Sequence, residues 1–233
     1  LIVDEVDAFP YAMDPGLHDA THQALKPVGG LLLMTATPDA RLLRQVRQGK
    51  LSISYLPLRY HGHLLPQIHP VLVWNWRKQV QRGRLPAAVL NWISQRLAAK
   101  REFLFFVPHV ADLPGVAAVL RHHFPAVDFT TVHAADPERE AKVLQMRHHQ
   151  LAFLVTTTIL ERGVTFPAID LLVLGADDPV FSAAALVQMA GGVGRASSRP
   201  DGEVTFFLSA YARNVVLAMK QIRLVNQKGR RLQ

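Results

Sequence analysis

Short apolar runs alternate with segments of helical periodicity along most of the 233-residue chain. Apolar runs of this length are typical of buried strands, and apolar positions spaced three and four apart are typical of helices. The predicted strands are 31–36, 52–56, 103–107, 128–132, 153–157, 171–174 and 204–208. The predicted helices are 39–49, 86–100, 113–123, 136–149, 182–189 and 211–227. This alternation predicts an α/β fold with a mainly parallel sheet.

One segment interrupts the alternation. Residues 57–70 (PLRYHGHLLPQIHP) contain three prolines, three histidines and a glycine, a composition typical of a connector. We therefore predict a boundary here: residues 1–60 as the C-terminal part of a first domain, 61–70 as the connector and 71–233 as a complete second domain. The chain opens on LIVDEVD, which reads as the middle of a strand, with no signal peptide before it, so we expect a fragment of a longer protein.

Composition narrows the class of protein. Hydrophobic residues make up 49% of the chain and charged residues 19%, which is enough to bury a core. No apolar run approaches the length of a membrane span. The chain has no cysteine, which excludes disulfides, cysteine nucleophiles and cysteine-ligated zinc within it.

The positive charge is unevenly distributed. The formal net charge is +8, and residues 40–101 contain twelve lysines and arginines but no acidic residue. Residues 208–233 contain six more, again without an acid. Such a field attracts a polyanion, and Tyr55, Tyr60, Trp74, Trp76 and Trp92 would let single-stranded nucleic acid stack between the cations. The alternatives are a solvated basic face and, for Trp92, a core position on an amphipathic helix.

The first candidate site is the pair of carboxylates in DEVD. Asp4 and Glu5 follow a predicted strand, and ligands of open α/β sheets bind at the carboxyl ends of the strands. Asp4 would hold the water shell of a magnesium ion, and Glu5 would polarise the water that attacks a γ-phosphate. A surface turn after a strand is the alternative interpretation.

Three further motifs follow predicted strands or helices. Thr35 and Thr37 supply hydroxyls that could hydrogen-bond to the carboxylates, or cap the next helix. Hydroxyl groups, and a glycine that lets the backbone approach closely, suit phosphate contacts. The candidate residues for such contacts are Thr156, Thr157, Arg162 and Gly163. The segment 188–195 (QMAGGVGR) predicts a glycine-rich bend that aims Arg195 at a phosphoryl group, or else a helix end with a solvated arginine.

In their order, these motifs resemble those of superfamily 2 helicase-type ATPases. Residues 1–7 are similar to the Walker B motif, 35–37 to the TAT motif, 156–167 to TTxxxxRGxxxP and 188–195 to QxxGRxGR. Within that superfamily the chain most resembles the ComFA family of late competence proteins, in pieces such as DEVDAFPY, RYHGHLLP, VHAADPERE and TTTILERGVTFP. The likeness covers essentially the whole chain.

The resemblance implies two RecA-like lobes, the first partial and the second complete, in an ATPase that uses ATP and Mg²⁺. It implies that ATP binds between the lobes and that single-stranded DNA is drawn through the uptake channel during natural transformation. The implied partners are this DNA, the channel proteins at the membrane and other competence proteins, at the inner face of the cytoplasmic membrane. The implied roles are catalytic for Glu5, Gln188 and Arg195; nucleotide contact for Asp4, Thr35, Thr37, Gly163 and Gly191; Mg²⁺ binding for Asp4 and Glu5; and nucleic-acid contact for Thr156, Thr157, Arg162, Arg77 and Lys78.

The sequence departs from the family pattern in two places. No Gly-Lys-Ser/Thr occurs in the chain, so a phosphate-binding loop, like the four-cysteine zinc site of ComFA relatives, is expected only upstream. Gly192 stands where the QxxGRxGR motif has its first arginine. Two other functions therefore remain open: a non-catalytic nucleic-acid-binding scaffold, and a DNA-restart or RNA helicase of the same superfamily. We expect no ATP hydrolysis by this chain alone.

Overall fold

The computed structural model describes residues 1–158, 166–197 and 199–233. They form two compact units, Leu1–Tyr55 and Leu56–Gln233. The second unit thus begins before the predicted boundary and includes the predicted connector, 61–70. Among the described residues, no helix has both the length and the apolar character needed to cross a membrane.

The first unit has a two-stranded parallel sheet and two helices. Strand β1 (Ile2–Val3) pairs with β2 (Leu32–Leu33), and the helices are α1 (Pro15–Gln23) and α2 (Ala40–Arg47). Each helix begins after an aspartate whose carboxylate accepts a backbone N–H, from Gly16 at 2.8 Å and from Leu42 at 2.7 Å. The strand predicted at 31–36 is shorter than expected, and the strand predicted at 52–56 is wrong, because the described residues there adopt no strand.

The second unit is built on a six-stranded sheet in which every pair of neighbours is parallel. Its strands are β3 (Ile68–Leu72), β4 (Phe103–Phe106), β5 (Phe129–Val132), β6 (Phe153–Thr156), β7 (Asp170–Leu174) and β8 (Val204–Leu208), in the order β3-β8-β7-β4-β6-β5. Its helices are α3 (Trp76–Gln81), α4 (Ala87–Ala98), α5 (Leu113–His123), α6 (Arg139–Arg147), α7 (Ala183–Gly192) and α8 (Arg213–Gly229), with a 3₁₀ turn at Val110–Asp112.

Helices cover both faces of this sheet, which is why its strands are almost uniformly apolar. Phe103, Phe105 and Phe153 are fully buried, and the rings of Phe103 and Phe153 stack with centroids 4.6 Å apart on neighbouring strands. The predicted α/β class with a mainly parallel sheet is confirmed.

Strand β3 and helix α3 were not predicted, because their segments lack a clear apolar period. Strand β3 contains Pro70 and pairs only with β8, at the edge of the sheet. An edge strand tolerates a residue that cannot donate a hydrogen bond. The interpretation of residues 57–70 as an unpacked connector is therefore wrong for 68–70.

The segment before β3 is also packed. The side-chain amide of Asn226 on α8 accepts the Leu65 N–H at 2.9 Å and donates to the Leu65 carbonyl at 2.9 Å. Gly229 allows this close approach, because a Cβ there would lie 2.6 Å from Leu64 Cδ2. Long-range polar contacts, which local composition does not reveal, thus hold these residues against the last helix.

Candidate functional site

In the first unit, the predicted acidic pair lies directly after β1. Asp4 and Glu5 are both exposed, and Asp4 Oδ1 accepts the Glu5 N–H at 2.8 Å. Glu5 has a φ of 52°, a left-handed conformation uncommon for residues other than glycine. Two adjacent, solvent-facing carboxylates fit Mg²⁺, which usually keeps several water ligands and takes one or two carboxylates. No group of three or more metal-ligating side chains occurs within the described ranges.

The threonines after β2 bind a different carboxylate from the predicted pair. Thr35 Oγ1 donates to Asp7 Oδ1 at 2.7 Å and Thr37 Oγ1 donates to Asp7 Oδ2 at 2.5 Å, while the Thr37 N–H donates to Thr35 Oγ1 at 2.9 Å. Because β1 and β2 are parallel neighbours, the residues that follow them lie at the same edge. Sequence reasoning missed Asp7, although it is the last residue of the DEVD motif.

In the second unit, α7 presents the segment 188–195. Ser182 caps the helix by accepting the Ala185 N–H at 3.0 Å. The helix continues through Gly191 and Gly192, with Gln188 half-buried on it, so the predicted glycine-rich bend begins only after them. The turn is made at Gly194, whose φ is 67°. It leaves Arg195 exposed, with its Nε donating to the Gly191 carbonyl at 3.3 Å.

A cavity of about 580 Å³ lies beside Arg195. Its described lining residues come from three of the segments singled out in the sequence: Arg59, Tyr60, His61, Pro167, Gly191, Arg195 and Ala196. Arg59 Nη1 donates to the Gly194 carbonyl, and the Tyr60 hydroxyl donates to the Arg195 carbonyl at 2.8 Å. The fold therefore joins the 57–66 segment to the arginine motif, a contact between residues about 135 positions apart.

In the second unit, sequence reasoning missed Arg59 as a candidate site residue. Burial lowers the pKa of its guanidinium, and the positive charge of Arg195 lowers that pKa further, to about 10. A sequence signal existed, since Arg59 stands among the histidines and prolines of a segment without an acidic residue. That segment was interpreted as a connector and not as part of a site.

The threonine motif after β6 is only partly described. Thr156 is fully buried at the end of β6, where its Oγ1 donates to the Thr157 carbonyl at 3.3 Å. Thr157 is also buried. Neither hydroxyl lies at the surface, because β6 is an inner strand of the covered sheet. Arg162 and Gly163 lie outside the described residues.

Arg77 lies at the carboxyl edge of the sheet, where it forms an ion cluster. Its Nε is 3.1 Å from Asp112 Oδ1 and its Nη2 is 2.9 Å from Asp178 Oδ2, while His109 Nε2 is 3.2 Å from the same Asp178 oxygen. Burial would lower the pKa of Arg77, but hydrogen bonds from its guanidinium to both carboxylates raise it. Its charge is already balanced, so the neighbouring exposed Lys78 is the better donor to a phosphate.

Another part of the acid-free stretch 40–101 is neutralised at the opposite edge. Asp170, at the start of β7, is fully buried and lies 2.5 Å from Arg199, 3.5 Å from Arg96 and 3.7 Å from Arg101. The stretch is therefore not a continuous basic surface. Trp92 is a core residue as the alternative interpretation held: its Nε1 donates to Thr205 Oγ1 at 2.8 Å, and the Arg96 guanidinium lies 4.2 Å from its ring centroid.

Comparison of the sequence with known proteins identifies a matching domain family and two similar competence proteins. Residues 86–197 match the helicase conserved C-terminal domain. Competence protein ComFA of Bacillus subtilis (strain 168) is 41% identical over 231 residues, covering 97% of this chain and 49% of that protein. Competence protein ComFA of Streptococcus pneumoniae (strain ATCC BAA-255 / R6) is 33% identical over 229 residues, covering 98% of this chain and 53% of that protein. The chain spans about half the length of these relatives.

A solved structure shows the same fold. S. cerevisiae Dbp5 bound to RNA and ADP BeF3 is similar with a TM-score of 0.61 and 17% identity, over 96% of this chain and 56% of that one. The parallel sheet and the matched domain define a RecA-like, helicase-type protein of superfamily 2. Within that class, the resemblance to the ComFA family of competence proteins is confirmed over nearly the whole chain.

Proposed function

We propose that the chain is part of an ATP-driven translocase that moves single-stranded DNA during uptake in natural transformation. The observation that carries the proposal is the exposed guanidinium of Arg195 beside a cavity whose described lining contains no carboxylate. A cation held at a helix end beside a cavity is suited to a phosphoryl group. The similarity to competence proteins along 97% of the chain supports the biological role.

In this proposal the acidic residues of the first unit would serve Mg²⁺ and the attacking water, and Arg195 of the second unit would contact a phosphoryl group. Mg²⁺ supplies a positive charge that neutralises the phosphate oxygens of ATP. Asp4 would hold the water shell of the metal, and Glu5 would accept a hydrogen bond from the attacking water. The Thr35 and Thr37 hydroxyls hold the nearby Asp7 carboxylate by hydrogen bonds. Arg195 stabilises the negative charge that grows on the transferred phosphoryl group, and Gln188 and Gly191 position the helix end.

The DNA-binding surface is placed at the carboxyl edge of the second unit. Trp74 follows β3 with 70% of its surface exposed, and Lys78 on α3 is exposed one turn later. Arg82 and Arg84 after α3 are also exposed. An exposed indole among cations is a stacking platform for a base whose phosphates the cations bind. The partners proposed from the family are the uptake-channel proteins and other competence proteins, with the protein peripheral at the inner face of the membrane.

DNA binding is testable with the 233-residue chain by fluorescence anisotropy with a labelled single-stranded oligonucleotide. We expect the affinity to fall as salt rises, because each bound phosphate releases a counterion. Trp74→Ala should weaken binding by about 1–3 kcal/mol. Lys78→Gln should reduce the magnitude of the salt slope by about 0.7.

Lys100→Gln is the matched control, because Lys100 is also exposed but precedes β4, at the other edge of the sheet. It should leave the slope unchanged. An affinity that does not depend on salt, or equal effects of Lys78→Gln and Lys100→Gln, contradicts the proposed surface.

ATP hydrolysis is testable by phosphate release. The 233-residue chain should stay at background with or without DNA, because it has no Gly-Lys-Ser/Thr to hold the β- and γ-phosphates. In a longer version that includes an upstream phosphate-binding loop, DNA should stimulate turnover, and Glu5→Gln should lower it about 10²- to 10⁴-fold. DNA-stimulated release by the short chain that Asp4→Asn abolishes would contradict the first expectation.

Gly192 favours a second candidate, a nucleic-acid-binding scaffold without ATPase activity, since the arginine usual at that position is replaced. The longer version separates the two candidates. DNA-stimulated turnover that depends on Glu5 supports the translocase. Salt-dependent DNA binding without any turnover supports the scaffold.

A further inference from the structure

The guanidinium of Arg59 is only partly used by the protein. Its Nη1 donates to the Gly194 carbonyl, but its Nε and Nη2 are buried and have no hydrogen-bond partner among the described residues. Buried donors without a partner are costly and rare in folded proteins. Arg59 also lines the cavity. Two of its donors without a partner therefore indicate that a ligand outside the described residues accepts hydrogen bonds from this guanidinium.

The surroundings of Arg59 favour a negatively charged ligand. The positive charge of Arg195 acts on it, and the described lining of the cavity holds no acidic side chain. His61 Nε2 lies 3.2 Å from the Gly194 carbonyl and adds a polar group to the same wall. Burial and the charge of Arg195 both lower the pKa of Arg59, and a bound anion would favour its charged form.

The backbone at Gly194 fixes this pair. A Cβ at Gly194 would lie 2.8 Å from Arg59 Nη1 and 2.6 Å from the Pro200 carbonyl oxygen, and the φ of 67° also requires glycine. The carbonyl that accepts from Arg59 therefore belongs to the residue that directly precedes Arg195. Both cations are positioned by one turn.

We propose that Arg59 is a polyphosphate-binding residue that supplies, with Arg195, the second positive charge absent at Gly192. The ligand class is the phosphoryl groups of a nucleoside triphosphate, and this inference rests on the proposed nucleotide site of the second unit. Gly192 leaves space for this exchange, because a Cβ there would meet nothing within 4 Å. The positive charge of Arg59, in the 57–66 segment, thus replaces the charge of the arginine that the motif usually has at position 192 on the helix.

The test uses the 233-residue chain and inorganic tripolyphosphate in isothermal titration calorimetry. Arg59→Gln keeps a polar side chain but removes the charge, and it should weaken binding about tenfold or more, as expected for a lost charge-assisted hydrogen bond. Arg195→Ala should weaken it to a similar extent. Arg147→Gln, the removal of an exposed arginine at the end of α6 and outside the described lining of the cavity, should change the affinity less than twofold.

A rescue experiment tests whether Arg59 replaces the arginine usual at position 192 or only adds positive charge in general. In Arg59→Gln, the second substitution Gly192→Arg should restore most of the lost affinity, because it returns the arginine to its usual position. Failure of that rescue, or an unchanged affinity in Arg59→Gln, overturns the proposal. If a variant does not fold, ¹⁵N NMR of the wild-type chain decides: the Arg59 Nε–H signal should shift on titration with tripolyphosphate, and an unmoved signal overturns the proposal.

Single-stranded DNA separates the two sources of phosphate. The affinity of Arg59→Gln for the oligonucleotide should equal that of the wild type. A loss of DNA affinity with unchanged tripolyphosphate affinity would move Arg59 to the DNA surface and overturn the inference while leaving the proposed function intact. Tripolyphosphate binding that depends on Arg59 in a chain that binds no DNA would support the inference and count against the proposed function.

Discussion

The two units differ in how they support the polar side chains of their candidate sites. In the first unit, Ile2 and Leu32 on the paired strands are more than half exposed, and the Asp7 carboxylate is held by two threonine hydroxyls. In the second unit, the four inner strands are buried throughout, and two clusters of charged side chains lie at the two edges of the sheet. The first site thus depends on a few hydrogen bonds, whereas the second depends on a large core and on ion clusters.

Within the second unit, the two edges of the sheet differ in burial, and this difference assigns stability to one edge and function to the other. The Asp170 cluster lies at the amino edge of the sheet and is buried, whereas Trp74 and Lys78 lie at the carboxyl edge and are exposed. Ligands of parallel sheets bind at the carboxyl edge. We infer that the Asp170 cluster is structural and that the exposed carboxyl edge is free for nucleic acid.

The largest effect is therefore expected at Asp170. Asp170→Asn removes a fully buried negative charge that faces Arg96, Arg101 and Arg199, and it should cost the second unit about 3–5 kcal/mol. Tryptophan fluorescence during urea unfolding measures this unit alone, since all three tryptophans lie in it.

The matched control is Asp201→Asn. Asp201 also pairs with Arg101, at 3.2 Å, but its side chain is 64% exposed. An exposed pair contributes about 1 kcal/mol or less. Equal losses in the two variants would show that the Asp170 cluster is not the structural anchor of the sheet.

The apolar pattern predicted the second unit well because a covered parallel sheet requires apolar residues on both faces. The strand Val204–Leu208 and the helix Leu113–His123 have the predicted bounds. Strand β3 was missed because an edge strand with a histidine and a proline does not need an apolar run. In the first unit, the strand predicted at 31–36 is only Leu32–Leu33, since a two-stranded sheet pairs few residues.

The charge pattern was a weaker guide, because carboxylates distant in sequence neutralise the basic stretch. Arg77 meets Asp178 across 101 positions, and Arg101 meets Asp201 across 100. The same limit hid Arg59, whose role depends on a contact with Gly194 across 135 positions. Motif order identified Arg195, but only the fold shows which second cation lies beside it.

A smaller and local effect is expected in the first unit. Thr37→Val keeps the shape of the side chain but removes the hydroxyl that donates to Asp7, and it should cost about 1–2 kcal/mol of local stability. Hydrogen exchange of residues 1–55 should rise, while the fluorescence midpoint of the second unit stays unchanged. Thr21→Val, which removes a hydroxyl that donates to the Leu17 carbonyl within α1, is the control and should have less effect. A shifted fluorescence midpoint in Thr37→Val would contradict the independence of the two supports.

The smallest effect is the loss of stability at low pH that Asp178 causes at the carboxyl edge of the second unit. Burial would raise the pKa of Asp178, but the Val180 N–H, the Arg77 guanidinium and the charge of His109 together lower it. A carboxyl whose native pKa lies below its unfolded value of about 3.9 stabilises the native state above that value, and this stabilisation is lost as the pH falls through the native pKa. The unfolding free energy of the wild type should therefore fall more steeply than that of Asp178→Asn below about pH 4, and the variant should be the less stable of the two at pH 7. Urea unfolding followed by tryptophan fluorescence at several pH values measures both differences, with Asp201→Asn as the matched loss of an exposed carboxylate. Parallel pH profiles for the wild type and Asp178→Asn would show that the edge cluster around Arg77 does not stabilise the ionised carboxylate, and Arg77 would then again be a candidate for DNA contact.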